Sequence, residues 1–294
     1  MFQKAKLRKE VDFNKLMGTI ISVLKGVAAT EYSHLQASRS SFDLFEGHIR
    51  DFLKIIKVGD FKHPFLGVPG SPSNIILITS DTGFLGNLNI SVVNSALEQY
   101  DSGDMLTVVG QQGSRYVEEK GIGFTSFPGI DDNISYSEII KLRDHILRVF
   151  LERKGKTIII YPHFISFSVQ KTQQFQLLPC KFLFAEQEKP ATMGINLEDA
   201  GIATLLGNDE VIVEPSLKSV IEQVVKTWIG QLLNSIFWES KLSEWAARVM
   251  HLEKSSTEIK NQNKVLRLQY FRLLHEISDK STREIFASRF ALSK

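Results

Sequence analysis

Apolar residues recur at coiled-coil spacing along the last third of the chain. With Val249 as heptad position a, the d positions fall on Leu252, Ile259, Leu266 and Leu273, and the a positions continue through Ser256, Asn263, Tyr270 and Ile277. From about Leu217 to Ala287 there is no proline and a single glycine, Gly230. The pattern predicts one nearly continuous helix of roughly 70 residues, about 105 Å long at 1.5 Å rise per residue. A helix of that length with an apolar seam must lie against something else.

A partner helix is present at the other end of the chain. Residues 2–57 contain no proline, and Leu7, Val11, Met17, Ile20, Leu24 and Val27 keep helical spacing, with Ile21, Ala28, Leu35 and Phe42 seven apart beside them. The termini therefore read as two strands of one antiparallel coiled coil, with Leu24 and Val27 facing a seam of Leu252, Ile259, Asn263, Leu266 and Leu273. Ala28, Ala29, Thr30, Ser256 and Asn263 are small or polar for a seam, so the helices approach closely but bury little apolar area. Asn263 has the character of a register-fixing residue. Such a thin rod calls for a sheath.

Between the helices the texture changes to short apolar runs punctuated by Gly and Pro, after the turn-rich segment 67–73. Strands are predicted at 75–79, 105–109, 123–127 and 156–161, and helices at 90–100, 114–120 and from a capping box of Ser135 and Glu138 to about Glu152. The strand-like segment 164–184 adds an edge pair, and 187–210 reads as an irregular loop. Strand and helix alternate, which implies a parallel sheet covered by helices. The expected fold is α/β: a Rossmann-like central domain at 66–210, an N-terminal coiled-coil helix at 1–65 and a C-terminal one at 211–294. Trp228, Phe237, Trp238 and Trp245 on the long helix are expected to pack it onto the α/β domain.

Composition narrows the function classes. With 43% hydrophobic residues in a chain of 294, a folded protein is expected. The formal net charge is only +2 from 35 basic and 33 acidic residues, so neither nucleic acid nor an anionic membrane is favoured as the main partner. No stretch approaches about 18 uninterrupted apolar residues, and charges occupy the N-terminus where a signal peptide needs its apolar core. A cytoplasmic chain without direct membrane insertion is expected. The lone cysteine, Cys180, excludes an internal disulfide and reads as a small buried residue.

Candidate chemistry is sparse. The loop Ser80-Asp81-Thr82-Gly83-Phe84-Leu85-Gly86-Asn87-Leu88-Asn89 follows a strand and precedes a helix, where doubly wound folds take phosphates. It lacks the third glycine of a dinucleotide fingerprint and the Lys-Ser/Thr pair of a P-loop. A tight turn in which Asp81 and Asn89 cap backbone donors is the favoured account. The segment Val109 to Gly113 is a second glycine turn of the same kind. The seven histidines are scattered without metal-ligand spacing, and no serine sits in a nucleophile elbow. No catalytic residue, cofactor or metal is expected.

The same residues resemble a known family, the gamma subunits of F-type ATP synthases. The 80–89 loop is similar to the family's SDRGLCGGLN, matching at Ser80, Asp81, Gly83, Gly86, Leu88 and Asn89. Val27-Ala28-Ala29 resembles the MVAASK stretch, Leu177-Leu178-Pro179 the LLP, Glu214-Pro215 a YEPS-like turn, and Ser243-Glu244-Trp245-Ala246-Ala247-Arg248 the SExxAR run. Three places depart. Thr82 replaces an arginine, Thr30 to His34 replace a basic run, and Tyr270-Phe271-Arg272 keep the tyrosine and one basic residue of YNKARQ but lose its Arg-Gln pair. The resemblance is to a divergent member.

It implies a non-catalytic rotor present once per complex. The coiled coil would turn inside a hexamer of alpha and beta subunits, while the α/β domain stands on the c-subunit ring beside epsilon, peripheral to the cytoplasmic face of the inner membrane. Ion flow through the ring would then bias the nucleotide sites by differential contact. Ser80, Asp81, Gly83, Gly86, Asn89, Glu214, Glu244, Arg248, Tyr270 and Arg272 become candidate subunit contacts. Two rival functions stay open: a nucleotide-binding α/β enzyme with coiled-coil extensions, and a scaffold descended from a rotor.

Overall fold

The computed structural model describes residues 2–37, 42–55, 63–67, 70–132, 134–180, 183 and 213–292. They form two compact units: one of 1–37, 84–86 and 244–294, here called the shaft unit, and one of 38–83 and 87–243, the sheet unit. The loop expected over 187–210 lies outside the described residues.

In the sheet unit, β1 (Gly70–Ile78), β2 (Met105–Val109), β3 (Thr125–Phe127), β4 (Gly155–Ser166) and β5 (Val169–Leu178) form one sheet in the order β3-β2-β1-β4-β5. The first four pair in parallel, and β5 returns antiparallel on the edge of β4. The middle of β1 is apolar on both faces because both faces are covered. Ile75 and Leu77 join Leu106, Val108, Ile158 and Ile160 beneath helices α3 (Leu88–Leu97) and α4 (Gln111–Glu118). Ile76 and Ile78, one residue out of phase, face the opposite way. They pack with Ile159 against α5 (Tyr136–Arg153) and the first part of the long terminal helix, α6 (Leu217–Leu292). From α6 come Trp228, Ile229, Leu233, Ile236 and Phe237, so the expected packing of Trp228 and Phe237 on the sheet is observed. A short helix α2 (Phe42–Ile55) contributes Leu53 to the same core.

Local chemistry differs from expectation at one helix start. Ser135 has the extended backbone of an N-cap (φ −85°, ψ 122°), but its hydroxyl makes no cap bond and lies 2.8 Å from Ser137 Oγ instead. The carbonyl of Ser135, accepting from Glu138 N at 3.1 Å, opens the helix in place of a capping box. At α6 the capping role is filled by Ser216, whose Oγ accepts from Ser219 N at 3.2 Å.

The shaft unit pairs α1 (Phe2–Ala37) with the second half of α6 in antiparallel fashion. Lys25 Nζ meets Glu253 Oε2 at 2.6 Å, and at Gly18 the helices come close enough that an added Cβ would touch Ile259 at 3.7 Å. On α6, Leu252 and Ser256 are buried, while Ile259, Asn263, Leu266, Tyr270 and Leu273 are half-buried among exposed neighbours. On α1 the buried heptad is Ile21, Ala28 and Leu35, preceded by the half-buried Leu7 and Asn14. Leu24 and Val27 are 40% and 51% exposed and stand off the seam to which the sequence assigned them. The reason is a second apolar stripe on α1. Phe13, Leu16, Ile20, Val23, Leu24 and Val27 keep helical spacing of their own beside the buried heptad and are exposed.

The boundaries of these units differ from a division at 65 and 210. Helix α6 through Ser243 and helix α2 both group with the sheet, because their apolar faces are spent on its core.

Candidate functional site

The loop after β1 is the first place to look for chemistry. Asn89, in the first turn of α3, reaches back to the end of β1: its Oδ1 accepts from Ser80 N at 3.2 Å and its Nδ2 donates to Ser80 Oγ at 2.8 Å. Ser80 Oγ in turn donates to the Thr82 carbonyl at 2.8 Å. Asp81 Oδ1 accepts from Gln111 N at 2.8 Å, at the first residue of α4, where the helix dipole also favours a carboxylate. Thr79 Oγ1 donates to the Val109 carbonyl at 2.7 Å and accepts from Gly113 N at 3.1 Å.

These bonds consume donors that a phosphate would need. The Ser80, Gln111 and Gly113 amides all point at the protein's own oxygens, so the turn is a structural latch between β1, α3 and α4 and not a phosphate cradle. The second glycine turn serves the same latch. Gly110 has φ +100°, and a Cβ on either Gly110 or Gly113 would overlap Thr79. Gly129 likewise leaves room for the Asp81 carboxylate. Gly83 behaves otherwise: its Cβ position is open space.

The tip of the loop, 84–86, belongs to the shaft unit. Leu85 is buried, while Phe84 is 58% exposed and sits in the left-handed region at φ 64°. Gly86 is also left-handed (φ +59°), and a Cβ there would meet His251 of α6 at 3.9 Å. Phe84 thus combines exposure with a backbone conformation that bulky residues rarely adopt.

Farther along α6, Glu244 and Arg248 form a buried ion pair one turn apart at 2.6 Å, with the guanidinium 4.1 Å over the Trp245 ring. Tyr270 lines a groove with Arg8, Val11 and Asp12 of α1, and Arg272 lines another with Gln3, Lys6 and Glu10. Glu214 is exposed in the turn before α6. The structure thus joins Ser80, Asp81 and Asn89 in one network and Glu244 with Arg248 in another; the remaining candidates stand apart. Burial pushes the Cys180 thiol up to about 12, and its Sγ lies 3.5 Å from the Phe65 carbonyl. Among the described residues no three His, Cys, Asp or Glu side chains converge as a metal site requires, and no helix is long and apolar enough to cross a membrane.

The ATP synthase family model matches residues 4–274, nearly the whole chain. The chain belongs to the gamma family of ATP synthases. It is 23% identical over 290 residues to the ATP synthase gamma chain of Chlorobaculum tepidum, covering 94% of each chain. Against the ATP synthase gamma chain of Halothermothrix orenii it is 25% identical over 295 residues, covering 97% of this chain and 98% of that one. Its fold is that of a chain in the OSCP/F1/c-ring assembly of the Euglena gracilis mitochondrial ATP synthase, with a TM-score of 0.69 at 16% identity, over 99% of this chain and 94% of that one. A chain of the rotor of the same synthase gives 0.63 over 94% and 98%.

The residue set missed by sequence reasoning is the exposed α1 stripe. Its spacing was visible, but two apolar stripes on one helix compete for the seam. Only the buried heptad Ile21, Ala28 and Leu35 decides between them.

Proposed function

We infer that this gamma-family chain is the central-stalk rotor of an F-type ATP synthase, coupling ion flow through a membrane ring to nucleotide turnover in an alpha/beta hexamer. The observation that carries this is a family match from residue 4 to 274 on a chain whose termini pair as an antiparallel two-helix shaft. The chain itself is non-catalytic. Its partners are the alpha and beta subunits around the shaft, and epsilon and the c ring at the sheet unit. Attachment to the membrane is peripheral and runs through the ring, on the cytoplasmic face of the inner membrane.

The contacts we assign follow from exposure and chemistry. The α1 stripe of Phe13, Leu16, Ile20, Val23 and Val27 and the strained Phe84 face the hexamer, because large apolar side chains grouped at helical spacing mark an interface. Tyr270 and Arg272 supply polar contacts near the free ends of the helices. Glu214 faces the ring. Ser80, Asp81, Gly83, Gly86 and Asn89 act by holding Phe84 in place, and Glu244 with Arg248 stiffens α6 at the base of the shaft.

Affinity purification of the tagged chain from gently solubilised membranes tests the assignment. Recovery of alpha, beta, epsilon and c subunits with ATPase activity is expected, with the activity lost when the chain is cut at Val265. Recovery of the chain alone would favour the scaffold, and saturable nucleotide binding to the isolated chain would favour the enzyme.

A further inference from the structure

Within the sheet unit, polar groups at the end of β4 gather on the stretch of α6 that leaves the sheet. Tyr161 and His163 lie on the same side of β4, and both reach Glu239. His163 Nδ1 is 2.7 Å from Glu239 Oε1, and the Tyr161 phenol donates to the same carboxylate. One turn later Ser243 Oγ donates to the Pro162 carbonyl at 3.2 Å. Three successive residues of β4 are thereby tied to α6. From another side, Lys241 Nζ meets Asp132 Oδ1, in the segment before α5, at 3.1 Å. Lys241 and Ser243 are buried, whereas the Asp132 carboxylate is more than half exposed. Burial, then the charge and hydrogen bond of Glu239, hold the Tyr161 phenol well above the ordinary tyrosine range, which keeps it a donor.

Earlier on α6, Trp228, Ile229, Leu233, Ile236 and Phe237 pack into the apolar core on the sheet. Apolar burial holds a helix against a sheet but is non-directional, whereas hydrogen bonds and ion pairs fix register and orientation. One directional contact, Glu222 to His63 at 3.3 Å, lies near the start of α6; those nearest its exit sit at Glu239 to Ser243, and α6 passes into the shaft unit at Glu244. Torque carried along α6 crosses this point, where a helix held only by apolar contacts would twist against its bed.

We propose that the clasp of Tyr161, Pro162 and His163 on Glu239 and Ser243, with Lys241 on Asp132, is the torque joint of the rotor, fixing the angular register of α6 where it leaves the sheet. The inference rests on the rotor reading above. Glu239 is a positioning residue that acts by holding α6 in register on β4. No sequence motif marks it, since its partners are more than 70 positions away.

Angular fluctuation of a bead on the assembled complex tests this. The complex is immobilised through the alpha/beta hexamer, and the bead is attached to a cysteine introduced at the exposed Lys120, the native Cys180 being buried. In the stalled complex, Glu239→Ala combined with Ser243→Ala is expected to raise the angular variance at least twofold. Glu239→Gln, which keeps an acceptor for Tyr161 but loses the charge facing His163, is expected to raise it less. ATP hydrolysis without load should stay within twofold of the parent. A purely structural role would instead lower Tm and the yield of assembled complex while the variance of intact complexes stayed at the parent value, and that result overturns the proposal. If the double variant does not assemble, Glu239→Gln and Lys241→Met carry the test on the same criterion. Failure of the parent complex to rotate would sink the rotor reading instead, so the two failures are distinguishable.

Discussion

The glycines of this chain look alike in sequence and do different jobs. Gly110→Ala pushes a Cβ into the Thr79 carbonyl at a backbone angle, φ +100°, that alanine resists. We expect a loss of about 3 kcal/mol or more, as for combined steric and backbone strain, read from urea unfolding of the full chain. Gly83→Ala, into open space, should change stability by no more than about 0.5 kcal/mol. Equal losses at both sites would contradict the latch described for the loop. Cys180 gives a second residue-level expectation. Its folded pKa is raised, so the neutral thiol is favoured in the fold. The resulting stability is fully present below the unfolded value near 9 and drains away as pH climbs from there toward about 12. Maleimide should therefore leave the native chain unlabelled at pH 8 and label it once urea unfolds it. Rapid native labelling would refute the burial. The sequence foretold the caps at Asp81 and Asn89 and the buried cysteine, because short-range turn chemistry and residue type suffice for both. The overlap of Gly110 with Thr79 was hidden, since it depends on how β1 and β2 lie side by side.

At the scale of elements, periodicity carried the reading and failed where two periods compete. The heptad of α6 places Leu252, Ile259, Asn263, Leu266 and Leu273 on its less exposed face, although Val265, Leu268 and Phe271 are exposed on the same stretch. Helix α1 has two stripes, and the pattern alone assigned Leu24 and Val27 to the wrong one. What selects the stripe is the small surface of Ala28 and Gly18, which lets the backbones approach. Longer side chains such as Phe13 are left outside. The α/β alternation was legible down to the order of strands along the chain, whereas the sheet order was not, as no local signal says that β4 lies beside β1. Glu244 and Arg248 make a prediction of their own. Each is buried with the other, so Arg248→Met leaves a carboxylate without its cation and should destabilise by about 3 to 5 kcal/mol. Adding Glu244→Gln removes that stranded charge and should recover part of the loss, giving a coupling of about 1 kcal/mol or more in a double-mutant cycle. Additive losses would mean the pair does not act as a unit.

For the whole molecule, the apolar stripe on α1 is the feature that an isolated chain cannot explain. Phe13, Ile20 and Val27 are 60%, 43% and 51% exposed, and a soluble helix gains nothing from displaying them. The seam they flank is itself thin, with Ala28, Ser256 and Asn263 at its core positions, so the shaft buries little apolar area of its own. Both facts point to the same surrounding surface. Replacing Phe13, Ile20 and Val27 together by serine should therefore leave the sheet unit and its melting transition unchanged. These side chains take no part in the core beneath the sheet. The same replacement should lower recovery of alpha and beta subunits at least tenfold, since each buried apolar side chain contributes about 1.5 to 3 kcal/mol at an interface and three are lost at once. Serine at Leu7 and Ile21, which lie on the seam, should act differently by loosening the pairing of α1 with α6 before any partner is met, visible as reduced helicity of the free chain. If the stripe variant lost helicity as the seam variant does, the stripe would belong to the shaft itself. If it lost neither helicity nor partners, the sheath would have to grip the rotor elsewhere, and Phe84 with the free ends of the two helices would be the surfaces left to carry the load.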